Sequence, residues 1–360
     1  MNTQIKIANK LIGKDQPCFI VAEMSGNHGQ SFERARSIVR AAAATGADAI
    51  KMQAYTADTI TLQHDGPDFT IPADNSWAAF NTLYELYQQA YTPWEWLPLL
   101  FEEARSLGMV PFCSVFDHTS VDYMGSLGAD VYKIAAPEIT DIPLLRKVGG
   151  TGKPVILSSG LANLEDLHLA AKTLSQAGCD DLVILKCTSE YPAPVAQANL
   201  QTIRHIKESF GCVSGLSDHT TDTAVPVAAV CLGASVIEKH FTLDESKTVD
   251  SFFSLLPEAF THMVNQIRIA ETAIGTVDYT LAGADSGTAN GRRSLYACAP
   301  IKAGDTFTGS NVCSVRPAHG LHPKYWDKLI GTTAARDIAF GDRLQLADLP
   351  ASELIGITDE

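Results

Sequence analysis

The 360-residue sequence is poor in charge, and poorest in positive charge. Only 19% of residues are charged, and 27 Lys and Arg face 41 Asp and Glu, a net charge of −14 at pH 7. A surface of that sign repels a phosphate backbone, so sequence-independent nucleic-acid binding is excluded. Any anionic ligand has to be held by a local group of cations working against the field of the whole chain. Long hydrophobic runs are also missing. The longest, Ala224 to Ile237, contains Pro226 and is too short to span a bilayer, so no membrane partner is expected. The opening stretch, MNTQIKIANKLIGK, has no continuous apolar core and no small-residue cleavage site, which argues against a secretory leader and for a cytoplasmic protein. The eight cysteines form no CxxC pair, and several lie inside apolar runs such as Val183–Cys187. They read as buried, reduced thiols rather than disulfides or a zinc cluster.

What the sequence does have is apolar residue, 46% of the total, which implies a large buried core. Short apolar runs recur at Cys18–Ala22, Ala49–Gln53, Val110–Ser114, Val131–Ala136, Pro154–Ser158, Leu182–Cys187, Cys212–Ser217 and Ser235–His240. They are strand-length, rich in Val and Ile and not alternating, as parallel strands buried on both faces are. Helix-like segments lie between them. Ser31 to Thr45 sets Phe32, Ala35, Ile38, Val39 and Ala42 on one stripe before Gly46, and Asn163–Ala177 opens on an Asn cap and closes before Gly178. Asp141, Asn199 and Asp222 are similar openings, and Pro257–Ile274 is long and amphipathic. Eight strands each followed by a helix predict a (β/α)8 TIM barrel over residues 1–276. An open doubly wound sheet is the alternative, weakened because no GxGxxG follows the first strand. Residues 54–93 are long for a connection and hold Trp77, Tyr84, Tyr87 and Tyr91, which suggests a cover over a site, an extra packing helix (Trp77–Ala90), or both.

Residues 277–293 read as a linker, 294–350 as a compact β-rich module and 351–360 as a tail. Within the module, Ser294–Ala297 and Thr306–Thr308 are strand-like, and two I-x-x-G-D stretches, Ile301–Asp305 and Ile338–Asp342, suggest paired turns.

In such a barrel, residues at the carboxyl ends of the strands meet at one mouth. Those ends carry Glu23, Lys51 with Gln53, Ser114, Lys133 with Glu138, Ser158, Ser189 with Tyr191, Ser217 with His219, and Glu238 with His240. Lys51 and Lys133 sit in strand cores, where a charge needs a partner or a ligand; they read either as ammonium groups for a small polyanion or as members of buried ion pairs. Ser158, Ser189 and Ser217 add hydrogen-bond donors suited to a phosphate. His219 and His240 on neighbouring strands can share a divalent ion, and the lack of a third obvious His or Cys ligand favours Mn, Mg, Co or Fe over structural zinc. Glu23 and Glu138 suit acid–base work, hydroxyl binding or charge balance, and Asp250 can reach a polyol.

These strand-end motifs resemble the sialic acid synthase family. The likeness rests on VAEMSGNHG around Glu23, AIKMQAY around Lys51, YKIAAPEITD around Lys133, LSSG (157–160), KCTSEYPAP (186–194), GLSDHT (215–220) and EKHFTLD (238–244). It runs from about residue 16 to 349 and includes a C-terminal module similar to the family's antifreeze-like (SAF) domain, with VRPAHGLHPKY (315–325). The segments TLYELYQQAYTPWEW (82–96) and GLHPKY resemble the pseudaminic acid branch. The resemblance implies a transferase that condenses phosphoenolpyruvate with an N-acetylated hexose to a nine-carbon 2-keto acid and phosphate. It implies Lys51, Ser114 and Lys133 on the donor carboxylate, and Lys133, Ser158, Ser189 and Ser217 on its phosphate. His219 and His240 would ligate the divalent metal, and Glu23, Gln53, Glu138, Tyr191 and Asp250 would face the sugar. Arg316 would reach it from the partner subunit of a domain-swapped homodimer. The acceptors of N-acetylneuraminate or legionaminic acid synthases are alternatives, as is a catalytically inactive sugar-binding scaffold. Ala136 departs from the family, which commonly has Ser there, removing one hydroxyl near the donor carboxylate.

Overall fold

The computed structural model describes residues 1–280 and 291–349. It divides into two units, Met1–Gly275 and Thr276–Glu360. Most of the expected linker and the whole expected tail lie outside the described residues.

The first unit opens with a hairpin, β1 (Gln4–Ile7) and β2 (Lys10–Gly13). Eight parallel strands then close into a barrel: β3 (Phe19–Glu23), β4 (Ala49–Ala54), β5 (Val110–Val115), β6 (Tyr132–Ile134), β7 (Val155–Ser158), β8 (Leu182–Cys187), β9 (Val213–Asp218) and β10 (Val236–His240), with β10 pairing back onto β3. The doubly wound alternative is thereby excluded. The helices are α1 (Phe32–Ala44), α2 (Ala57–Ile60), α3 (Leu83–Ala90), α4 (Leu97–Ser106), α5 (His118–Ser126), α6 (Ile142–Gly149), α7 (Leu164–Ala177), α8 (Gln201–Phe210), α9 (Ala224–Cys231) and α10 (Pro257–Ile274). Local chemistry sets several ends. Ser31 accepts from the Arg34 amide to start α1, Asn163 accepts from the Glu165 and Asp166 amides to start α7, and Gly178, at φ 112°, stops α7 in the left-handed region. Asp141 caps α6 and Asp117 caps α5, whereas α8 and α9 begin a residue or two beyond Asn199 and Asp222.

Side chains along each strand alternate between two cores. Outward residues such as Ile20, Ile50, Leu157, Ile184 and Ile237 pack under the helices. Inward residues Phe19, Val21, Ala49, Phe112, Val131, Ile156, Val183, Leu185 and Val236 fill the barrel, together with Ile5, Ile7 and Ile12 of the hairpin. The hairpin, which periodicity alone did not reveal as structure, therefore plugs the amino-terminal end. Because the strand period is two, the next inward position is fixed: Glu23 follows Val21, Lys51 follows Ala49, Ser114 follows Phe112, Lys133 follows Val131, Ser158 follows Ile156, Cys187 follows Leu185 and Glu238 follows Val236. A polar layer thus stands directly on an apolar one.

Residues 54–93 contain two short helices, α2 and α3; Trp77 and its neighbours are not helical, so the expected Trp77–Ala90 helix begins only at Leu83. All eight cysteines are free thiols; five are buried, but Cys231 is exposed and Cys298 and Cys313 are partly exposed. No helix among the described residues is long and apolar enough to cross a membrane.

The second unit has its own core, including Leu295, Ile301, Phe307, Val312, Leu329, Ile338 and Leu344, around an antiparallel pair, β11 (Ser294–Ala297) and β12 (Val312–Val315), with a short helix α11 (Trp326–Leu329). The two I-x-x-G-D stretches meet through an Ile301–Ile338 bridge. In each the Asp carboxylate takes an amide of its own turn, Asp305 from Lys302 and Asp342 from Ala339. Thr306–Thr308 makes one isolated bridge rather than a strand.

Candidate active site

The polar layer opens into a cavity of about 460 Å³ at the carboxyl ends of the strands. Its lining brings together Lys51, Gln53, Ser114, Lys133, Glu138, Ser158, Tyr191, Ser217, His219, His240 and Asp250. Three expected site residues stand apart. Glu23 is wholly buried behind Lys51 and does not line the cavity. Ser189 is half-exposed and does not line the cavity, but its Oγ is 3.8 Å from the thiol of Cys187, which does. Arg316 belongs to the second unit, exposed just after β12.

The charges form one network. Lys51 Nζ is 2.6 Å from Glu23 Oε2, 3.2 Å from Glu238 Oε1 and 3.2 Å from Ser114 Oγ. Lys133 Nζ donates to Ser158 Oγ at 2.6 Å and the Ile134 carbonyl at 2.9 Å, with Glu238 Oε1 at 3.9 Å. Ser217 Oγ donates to Glu238 Oε1 at 3.0 Å. The lysines are therefore in buried ion pairs, and they also line a cavity. Glu238, which strand-end reasoning found but gave no role, is the shared anion between them. Its parity with His240 two residues on could have assigned it to the same layer.

Burial tunes these groups toward neutrality. It raises the Glu23 carboxyl to about 7 against the pull of Lys51, and raises Glu138 to about 7 against Lys133. Burial lowers Lys133 to about 8, with Glu238 opposing. For Lys51 the burial penalty is outweighed by Glu23 and Glu238, so its ammonium is held more firmly than usual. Burial also works to raise Glu238, but Lys133 and Lys51 prevail and keep it ionised. One lysine is locked cationic and the other poised. Beneath the mouth, Lys239 is wholly buried and tied to Asp218 Oδ2 at 2.5 Å, which fixes the strands on which His219 and His240 sit.

The two imidazoles have ring centroids 5.2 Å apart. His219 Nδ1 is 2.8 Å from the Thr188 carbonyl and donates to it; burial works to lower the His219 pKa, but Cys187 and the Thr188 contact prevail and raise it above the usual histidine value. His240 is kept neutral by burial and by His219, and its buried Nδ1 has no hydrogen-bond partner. Once His219 gives up its Nε2 proton, the two rings offer the kind of nitrogen donor that a divalent ion takes. Among the described residues no cluster of three or more His, Cys, Asp or Glu forms a closed cage, so further ligands would come from substrate and water.

The 54–93 segment covers the mouth. Trp77 Nε1 donates to the Val249 carbonyl at 2.9 Å, Ser76 Oγ to the Tyr191 carbonyl at 2.9 Å, and the Trp77 ring packs on Tyr191 at 5.4 Å. Tyr191 in turn packs on His219 at 4.4 Å. Asp250 is buried, accepting from Ser25 Oγ at 2.5 Å and from the Gly26 amide at 3.1 Å.

A barrel closed by a plug and carrying a lysine–carboxylate–histidine mouth defines an enzyme for a small anionic substrate. Comparison with known proteins names the family. Residues 38–279 match the NeuB family and residues 292–350 match the SAF domain, and the chain belongs to the NeuB family. It is 43% identical over 93% of its length to pseudaminic acid synthase of Campylobacter jejuni, covering 97% of that protein. It is 38% identical to pseudaminic acid synthase of Helicobacter pylori over 94% of this chain and 99% of that one. Among solved structures it resembles the spore coat polysaccharide biosynthesis protein spsE of Bacillus subtilis, with a TM-score of 0.65 and 32% identity over 99% of this chain and all of that one. It also resembles N-acetylneuraminic acid synthetase of Leptospira borgpetersenii, with a TM-score of 0.70 and 28% identity over 80% of this chain and 95% of that one.

Proposed function

We propose that the protein condenses phosphoenolpyruvate with 2,4-diacetamido-2,4,6-trideoxy-β-L-altropyranose and water to give pseudaminic acid and phosphate. The observation that carries this reading is the single cavity in which Lys51, Lys133, three serines and two histidines meet, in a chain 43% identical to a pseudaminic acid synthase. Lys51, Ser114 and Lys133 take the donor carboxylate, and Lys133, Ser158, Ser189 and Ser217 take its phosphate. Gln53, Glu138, Tyr191 and Asp250 bind the acceptor, and Arg316 completes its site from the second subunit of a homodimer. His219 and His240 would hold a divalent ion, Mn, Mg, Co or Fe, which when bound polarises the acceptor aldehyde and positions water. The enol carbon of the donor attacks the aldehyde carbon, and water adds to the resulting electron-poor C2. The tetrahedral adduct then collapses with cleavage of the bond between C2 and the phosphate oxygen. Glu138, which lines the cavity with its carboxyl near 7, is suited to take the proton from that water, and Glu23, wholly buried, would act through Lys51. The position of Glu23 behind Lys51 sets Oε2 beside the ammonium that would face the new charge. The reaction belongs in the cytoplasm, where reduced thiols and phosphoenolpyruvate coexist.

The test is phosphate release with each component omitted in turn. Release should require donor, diacetamido sugar and divalent ion together, and EDTA should abolish it. Release no faster than background with this sugar, but fast with N-acetylmannosamine or the legionaminic precursor, would reassign the acceptor.

A further inference from the structure

The cavity has two chemically different halves. The floor is the polar layer of the strand ends. A second wall comes from the 54–93 segment and is mostly apolar, with Ile60, Ile71, Pro72, Leu83 and Leu86, while Tyr55, Thr70, Asn75, Trp77 and Tyr87 bring its few polar atoms. In α3, residues 83, 86, 87 and 90 all line the cavity, the spacing of one helical stripe. An amphipathic helix ordinarily turns such a stripe to the protein core, whereas this one lines a ligand cavity. Thr82 starts the helix by accepting from the Glu85 amide, and a Thr70–Thr82 bridge ties Ile71 to the start of α3.

We infer that this wall, and Ile71 and Leu83 in particular, selects the acceptor by its carbon-rich edge, favouring a sugar with methyl in place of hydroxyl at C6 and with the acetyl methyl that an acylated nitrogen brings at C4. The inference rests on the reading above and adds to it the residues that read the acceptor. A hydroxyl set against Ile71 and Leu83 meets only hydrocarbon there and loses its water. A hydrophobic pocket of this kind discriminates one such group by about tenfold to two-hundredfold. Gln53, Tyr191 and Asp250 can bind any polyol, so they cannot supply that preference.

The experiment compares kcat/KM for the diacetamido trideoxy sugar and for N-acetylmannosamine in the wild type, Leu83→Gln and Ile71→Asn. Both positions are half-buried, so folding is checked by circular dichroism and by the KM for phosphoenolpyruvate. The inference expects the preference for the diacetamido sugar to fall by about tenfold in each variant, through a raised KM for that sugar, with the KM for phosphoenolpyruvate unchanged. An unchanged preference in both folded variants would overturn it, as would a parallel loss for both sugars with a raised donor KM. No turnover of either sugar by the wild type would overturn the underlying reading, and the inference with it.

Discussion

Lys51 and Lys133 are chemically the same residue at the same height of the barrel, yet their neighbours make them different. Lys51 touches two carboxylates and is fixed as a cation, while Lys133 leans on a serine and a carbonyl and burial lowers its pKa to about 8. Glu138 is the carboxyl partner of this asymmetry, raised from 4.5 to about 7 chiefly by burial. Folding therefore tightens proton binding at Glu138. Between pH 4.5 and 7 the folded chain holds more protons there than the unfolded chain, so stability falls as pH rises and stays reduced above 7. The ceiling is on the order of 3 kcal/mol, from about 1.4 kcal/mol per pH unit. Glu138→Gln removes the ionisation. Urea unfolding should show it more stable than the wild type at pH 8.5 by about 1–3 kcal/mol and no more stable at pH 4, below the window in which the wild type loses stability. A gain of equal size at both values would mean that packing, not charge, is responsible.

At the scale of elements, the barrel was legible because its strands are local and buried on both faces, so each shows as a short apolar run. The site was legible for a related reason: a polar residue at the end of such a run has no place but the mouth. Glu238 lay in view without a role, because its meaning depends on two lysines from other strands. The cover formed by 54–93 was recognised only as a long aromatic connection. Trp77 meets Val249 and Ser76 meets Tyr191, contacts more than a hundred residues apart in sequence that no periodicity encodes. The turn after β7 gives an element-scale test. A Cβ at Gly160 would fall on Ser189 Oγ, 2.9 Å from Cys187 Sγ and 3.3 Å from Ala136 Cβ. Gly160→Ala should displace that side of the donor site, raising the KM for phosphoenolpyruvate about tenfold at a stability loss of about 1–3 kcal/mol. Saturation kinetics that match the wild type would show that the close approach at Gly160 is not needed for donor binding.

At the scale of the whole molecule, the barrel holds the buried charge network and the SAF unit carries Arg316 on its own small core. If the second subunit supplies Arg316, an Arg316→Ala chain and a Lys133→Ala chain, each inactive alone, should regain up to about a quarter of the wild-type activity when refolded together in equal amounts. No recovery on mixing would confine each site to one chain. The claim on which the account stands is that this cavity breaks the bond between carbon and the bridging oxygen of phosphoenolpyruvate. Donor labelled with 18O at that bridging position, supplied with the diacetamido sugar and a divalent ion, tests it most directly by mass spectrometry. The account predicts label in the released phosphate and an unlabelled nine-carbon keto acid; label retained in the sugar acid, or none of that acid formed, would contradict it.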